Sequence, residues 1–165
     1  PILGLLVAGL VLVGLGACGG GSSSPTAAAQ VAFTGADGRR TTIADIDGPV
    51  VVNMWATWCQ PCVREMPAFD TVAATTSGVT IIGVNIFDEP DEARSFATDL
   101  GVQYSQFTDP NGELSTALAV TGYPATAFFD GDGTLLELHQ GELTEQELRS
   151  SLRRLYPDTI QGSTP

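Results

Sequence analysis

Eight residues, Pro49 to Ala56, read PVVVNMWA and run straight into Thr57-Trp58-Cys59-Gln60-Pro61-Cys62. No other stretch limits the fold as much. A continuous apolar run of this length, opened by Gly48-Pro49 and rich in valine, reads as a strand buried on both faces. Such a strand belongs in the interior of a sheet covered by helices. Directly after it the pattern changes, and a helix is predicted from near Gln60 to about Thr76. Val79 to Ile86 (VTIIGVNI) is a second buried strand.

The rest of the chain fits around this pair. Val31 to Ile46 is β-prone and broken by Asp37-Gly38, a hairpin signal. Glu89 to Leu100 is helical, with Pro90 in its first turn, acids after it and Gly101 just past its end. A short helix is predicted over Asn111–Val120. Pro124 to Phe129 is a strand, and Thr134 to Gln140 is its hairpin partner across Asp130-Gly131-Asp132-Gly133. Thr144 to Leu155 is a closing helix, with a capping box of Thr144 and Glu147. Crossover units combined with a terminal hairpin give an α/β class with a mixed sheet.

The chemistry is concentrated at the seam between the first buried strand and its helix. A pair spaced C-x-x-C at a helix start places Cys59 and Cys62 one turn apart on one face, within bonding reach. Free N–H groups at the helix end favour a thiolate on Cys59, and Pro61 occupies a first-turn position where its missing N–H costs nothing. Trp58 adds an apolar wall. The expected reaction is thiol–disulfide exchange: exposed Cys59 attacks a substrate disulfide, and Cys62 resolves the mixed disulfide. Two other readings compete. A zinc site would need two more ligands, yet this domain has no further cysteine, and His139 is the only histidine. A structural disulfide is possible, though so small a loop gains little stability from closure. No metal or cofactor is expected, and His139 reads as a strand residue.

The N-terminal thirty residues read as an address. Ile2 to Ala17 is 16 uncharged residues of Ile, Leu, Val, Gly and Ala, short for a membrane span and close to a signal-peptide core. Leu15-Gly16-Ala17-Cys18 then resembles a bacterial lipobox, which implies lipidation of Cys18. A plain signal peptide and an uncleaved anchor are the other readings, and all three export the protein. Pro1 is preceded by neither Met nor a basic segment, so the natural N-terminus is expected further upstream. Gly19 to Gln30 (GGGSSSPTAAAQ) reads as a flexible tether. The expected division is a targeting segment over 1–17, lipidation site and tether over 18–30, and one folded domain over 31–160. A net charge of −12, with no lysine, argues against a nucleic-acid partner.

The run VVVNMWATWCQPCVREMP is similar to the TlpA/ResA/CcmG-like branch of the thioredoxin superfamily, and the similarity extends from about Phe33 to Leu155. It implies a thioredoxin-like fold with an N-terminal β-hairpin extension. It also implies a lipid-anchored protein on the outer face of the cell membrane that reduces protein disulfides, as in cytochrome c maturation. Its partners would be proteins with disulfides or thiols and a membrane electron donor such as a thiol-relay protein. The motif carries over onto Cys59 and Cys62. Thr121-Gly122-Tyr123-Pro124 resembles the cis-proline loop of such proteins, with Pro124 facing the cysteines and the Tyr123 backbone open to an extended substrate. Glu65, three residues after Cys62, matches the acid that takes part in proton transfer in this branch. Where cytoplasmic thioredoxins keep a buried Asp this chain has Asn53, which cannot titrate, so a relay would have to use Glu65. A disulfide-forming oxidant, a copper-binding chaperone, a peroxidase and an interaction module with a vestigial disulfide are the competing functions.

Overall fold

Strand β3 (Val50–Trp55) is buried at every position and lies inside a seven-stranded sheet. The computed structural model describes residues 26–160; the apolar segment, Cys18 and most of the expected tether lie outside them. The sheet order is β2-β1-β5-β4-β3-β6-β7. It comprises β1 (Phe33–Gly35), β2 (Arg40–Thr41), β3, β4 (Thr80–Ile86), β5 (Ser105–Asp109), β6 (Ala125–Phe129) and β7 (Leu135–Gln140). Strands β3, β4 and β5 run parallel, while β6 and β7 close one side antiparallel and the β1–β2 hairpin closes the other. The class is α/β with a mixed sheet, as the crossover pattern predicts.

The alternation of β3 explains the layers. Val50, Val52 and Met54 lie on one face with Ile82 and Val84, packed in the same cluster as Phe33. On that face Met54 meets Ser115, whereas α2 (Pro90–Leu100) lies on the opposite face, its Phe96 ring against Trp55. Val51 points to the other face, with Phe69, Val72, Phe128, Leu148 and Leu152. These come from α1 (Gln60–Thr75), β6 and α4 (Glu145–Leu155). Full burial of one such side chain is worth roughly 1.5–3 kcal/mol, so the sheet interior dominates the stabilisation. The capping box on α4 forms as predicted, with Thr144 accepting from Glu147 N and the Glu147 carboxylate accepting from Thr144 N.

Three differences from the sequence-based expectation have physical causes. Strand β5 has no counterpart among the predicted elements, and Ser105-Gln106-Phe107-Thr108-Asp109 has no apolar alternation. Its neighbours make it a strand: Gly83 of β4 lies opposite Gln106, and a Cβ on Gly83 would overlap the Gln106 side chain. That space lets the Gln106 Oε1 accept from Trp55 Nε1 at 2.9 Å. Second, the tether expected over 18–30 ends early. Ala27–Gln30 forms a 3-10 turn with Ala28 and Ala29 fully buried, and Thr26 bonds Gly133 and Leu135. Alanine carries no hydropathy signal strong enough to reveal this. Third, the short helix α3 is confined to Glu113–Ala117, its first N–H groups held by the Asp109 carboxylate. A short helix α5 (Pro157–Ile160) follows α4. Among the described residues, no helix is long and apolar enough to cross a membrane.

Candidate active site: a disulfide between exposed aromatic rings and a buried carboxylate

Cys59 is the N-cap of α1, and its Sγ accepts from Cys62 N at 3.3 Å. The pair is joined as a disulfide, with Cα atoms 5.3 Å apart. Cys59 was expected to be exposed; in the disulfide it is only 5% exposed, against 0% for Cys62. The order of access is therefore as expected, but the opening is narrow.

Two loops frame that opening, each held by a side chain distant in sequence. Asp88, just past β4, accepts from Thr57 N at 2.7 Å, from Thr57 Oγ1 at 3.0 Å and from Asn85 Nδ2 at 2.7 Å. Asp88 is buried, so it pins the backbone two residues before Cys59. On the other side, Gln140 Oε1 accepts from Thr121 N, Thr121 Oγ1 and Gly122 N at 2.7, 3.0 and 3.2 Å. This fastens the loop that carries Tyr123 and Pro124, whose peptide bond is cis. Trp58, 57% exposed, meets the Tyr123 ring edge-on at 6.2 Å. Tyr123 in turn meets Phe87 at 6.3 Å.

Phe87 was not singled out from the sequence. It is half exposed and has φ +63°, a left-handed backbone that costs an aromatic residue about 1–3 kcal/mol. Gly112 leaves the space its ring occupies. The signal that could have found Phe87 and Asp88 is position: both follow the carboxyl end of a parallel strand, where α/β sheets bind ligands.

Beneath the disulfide the surroundings are buried and polar. Glu65, on α1 one turn beyond Cys62, is only 2% exposed. Its Oε1 accepts from Asn53 Nδ2 at 2.7 Å and its Oε2 from Leu143 N at 2.8 Å. Burial raises the carboxyl pKa to about 7; the Leu143 and Asn53 donors oppose that rise, and nearby Glu142 adds to it. Asn53, expected only as a residue that cannot titrate, is a direct partner of Glu65. Its Oδ1 accepts from the Tyr104 hydroxyl at 2.9 Å. Sequence separation hid this chain, since α1, β3, the segment before β5 and the segment before α4 each contribute one group. His139 is a strand residue, opposite Thr126 on β6.

A thioredoxin-like α/β sheet with a redox disulfide at the amino end of its first helix defines a thiol–disulfide oxidoreductase. Residues 24–137 match the AhpC/TSA family model, and the chain belongs to that family. It is similar to the thiol:disulfide interchange protein HelX of Rhodobacter capsulatus, 35% identical over 79% of this chain and 70% of that protein. It is also similar to the thiol:disulfide interchange protein DsbE of Vibrio cholerae, 36% identical over 66% of this chain and 58% of that one. Among solved structures, MTB dsbF superposes with a TM-score of 0.73 at 29% identity, covering 81% of this chain and 99% of that one. The enzyme class and the fold stated above agree with these relatives.

Proposed function

We propose that the protein is an exported reductase of protein disulfides, tethered through a lipid on Cys18, which serves cytochrome c maturation or a related thiol relay and is recharged by a membrane electron donor. The observation that carries the direction is the burial of Glu65 one turn from Cys62. Reduction of the disulfide leaves thiolate character on the pair, and strong oxidants are those that stabilise it. A buried carboxylate disfavours a second negative charge nearby. The Cys62 N–H on Cys59 Sγ works the other way, but one neutral donor is worth about 1 kcal/mol, less than a charge–charge term in a dry site. Glu65 thus offsets the stabilisation that the start of α1 gives a Cys59 thiolate, and the protein gives electrons away.

In the forward reaction, Cys59 thiolate attacks a substrate disulfide sulfur and the departing substrate thiolate takes a proton. Glu65, near neutrality, receives the proton of the Cys62 thiol. Cys62 then attacks Cys59, releases the second substrate thiol and closes the Cys59–Cys62 disulfide. Equilibration with glutathione tests the direction: a potential below about −220 mV supports a reductase, and one above about −180 mV makes the protein an oxidant. For the anchor, an unmodified Cys18 in the intact mass of the membrane-isolated protein overturns that part of the proposal.

A further inference from the structure

The hydrogen bonds below the disulfide have a direction. Tyr104 donates to Asn53 Oδ1, and Asn53 Nδ2 donates to Glu65 Oε1. All three side chains are nearly or completely buried. Tyr104 is itself clamped: its N–H and that of Gln103 bond the Asp70 carboxylate of α1 at 2.9 and 2.5 Å, and its ring lies 6.4 Å from Phe69. An amide can present either of its ends to a neighbour. The end that faces Glu65 is decided at the other side of Asn53, by whether a donor or an acceptor waits there. Burial pushes the Tyr104 phenol above its ordinary range, so it remains a donor at every working pH.

We propose that Tyr104 is a positioning residue for disulfide exchange: its hydroxyl locks the Asn53 amide with the N–H toward Glu65 and so keeps that buried carboxyl able to ionise. The inference rests on the reading of Glu65 as the proton acceptor of Cys62. With the lock in place, both carboxylate oxygens meet donors, Asn53 Nδ2 on one and Leu143 N on the other. A protonated Glu65 would offer its O–H to an Asn53 group that is also a donor. Without the Tyr104 hydroxyl the amide can turn, its Oδ1 accepts the Glu65 O–H, and the neutral acid becomes the favoured form. The other groups facing Glu65 are Cys62 on its own helix and Glu142 before α4, the latter paired with Arg64 at 2.6 Å. Asp70 lies beyond Tyr104. None of these changes when the phenol oxygen is removed.

The test is a carboxyl NMR titration of Glu65 in the oxidised whole protein, with the pH profile of exchange measured alongside. Tyr104→Phe should raise the Glu65 midpoint by roughly one pH unit, since a hydrogen bond to a charged group is worth about that much. The exchange profile should move to higher pH with it. Asn53→Ala should raise the midpoint at least as far, and adding Tyr104→Phe to it should move nothing more. A purely structural tyrosine would instead add its own effect. A midpoint that stays in place in Tyr104→Phe overturns the proposal. Should that variant be too unstable to titrate, an unmoved midpoint in Asn53→Ala overturns it equally. If the midpoint moves while the exchange profile does not, the lock stands and the role of Glu65 in exchange falls.

Discussion

The two sulfurs of the disulfide sit in contrasting surroundings although only two residues separate the cysteines. Around Cys59 the groups are exposed aromatics on loops, and the polar side chains there serve only to hold backbone in place. Cys62 is fully buried, and the buried Tyr104, Asn53 and Glu65 side chains form a directed chain ending on a titratable acid. The difference separates two tasks that disulfide exchange combines. In the proposed mechanism a substrate approaches one sulfur in water, while the other loses its proton out of reach of water.

The largest expected effects divide along that line. Cys59→Ser should reduce disulfide exchange to background, while Cys62→Ser should accumulate a mixed disulfide with substrate on a non-reducing gel. Equal trapping by the two variants would erase the distinction between the sulfurs. Next comes Glu65→Gln, expected to slow exchange at least about tenfold, the low side of what general acid–base catalysis contributes.

Glu65 also has a signature in stability. Its carboxyl is raised from 4.5 to about 7 by burial, so its contribution is fully present below pH 4.5 and is lost as pH rises through 7. Oxidised protein should lose up to about 3 kcal/mol across that window. Glu65→Gln should flatten the loss, as read by urea midpoints at pH 4.5 and pH 8. A wild-type midpoint independent of pH would contradict the burial argument.

On the Cys59 side, Asp88→Ala leaves the half-buried Thr57 N–H without its acceptor, a cost of about 1–3 kcal/mol. It should lower kcat/KM for protein substrates more than for a small aromatic disulfide. The smallest effect is expected from Phe87→Gly. It should raise KM for protein substrates a few-fold through loss of the exposed ring, and raise thermal stability slightly by relieving the left-handed backbone. A fall in stability would mean that the Phe87 ring is held by packing rather than at a cost.

Much of this arrangement could be read from the chain, and particular residues show where that ends. The buried strand, the helix after it and the C-x-x-C at their junction are contiguous, so local patterning locates them. Pro124 was reachable because its loop resembles a known motif. Asp88 and Gln140 were not, for neither side chain performs chemistry and each acts on a loop at least 18 residues away. Strand β5 was missed because its partners, rather than its own hydropathy, hold it in the sheet.

Residues 49–62 by themselves determined that a thiol pair would sit at a helix start on the end of a buried strand, since strand burial, helix initiation and the reach of two cysteines are all short-range. Tertiary structure alone decided which acid would be buried and what would face it. Glu65 is one of 19 acidic residues, and it is distinguished by Asn53, Tyr104 and Leu143. These come from separate elements and converge only when the sheet and helices pack, because desolvation and hydrogen-bond direction are properties of a place in the fold rather than of a stretch of chain.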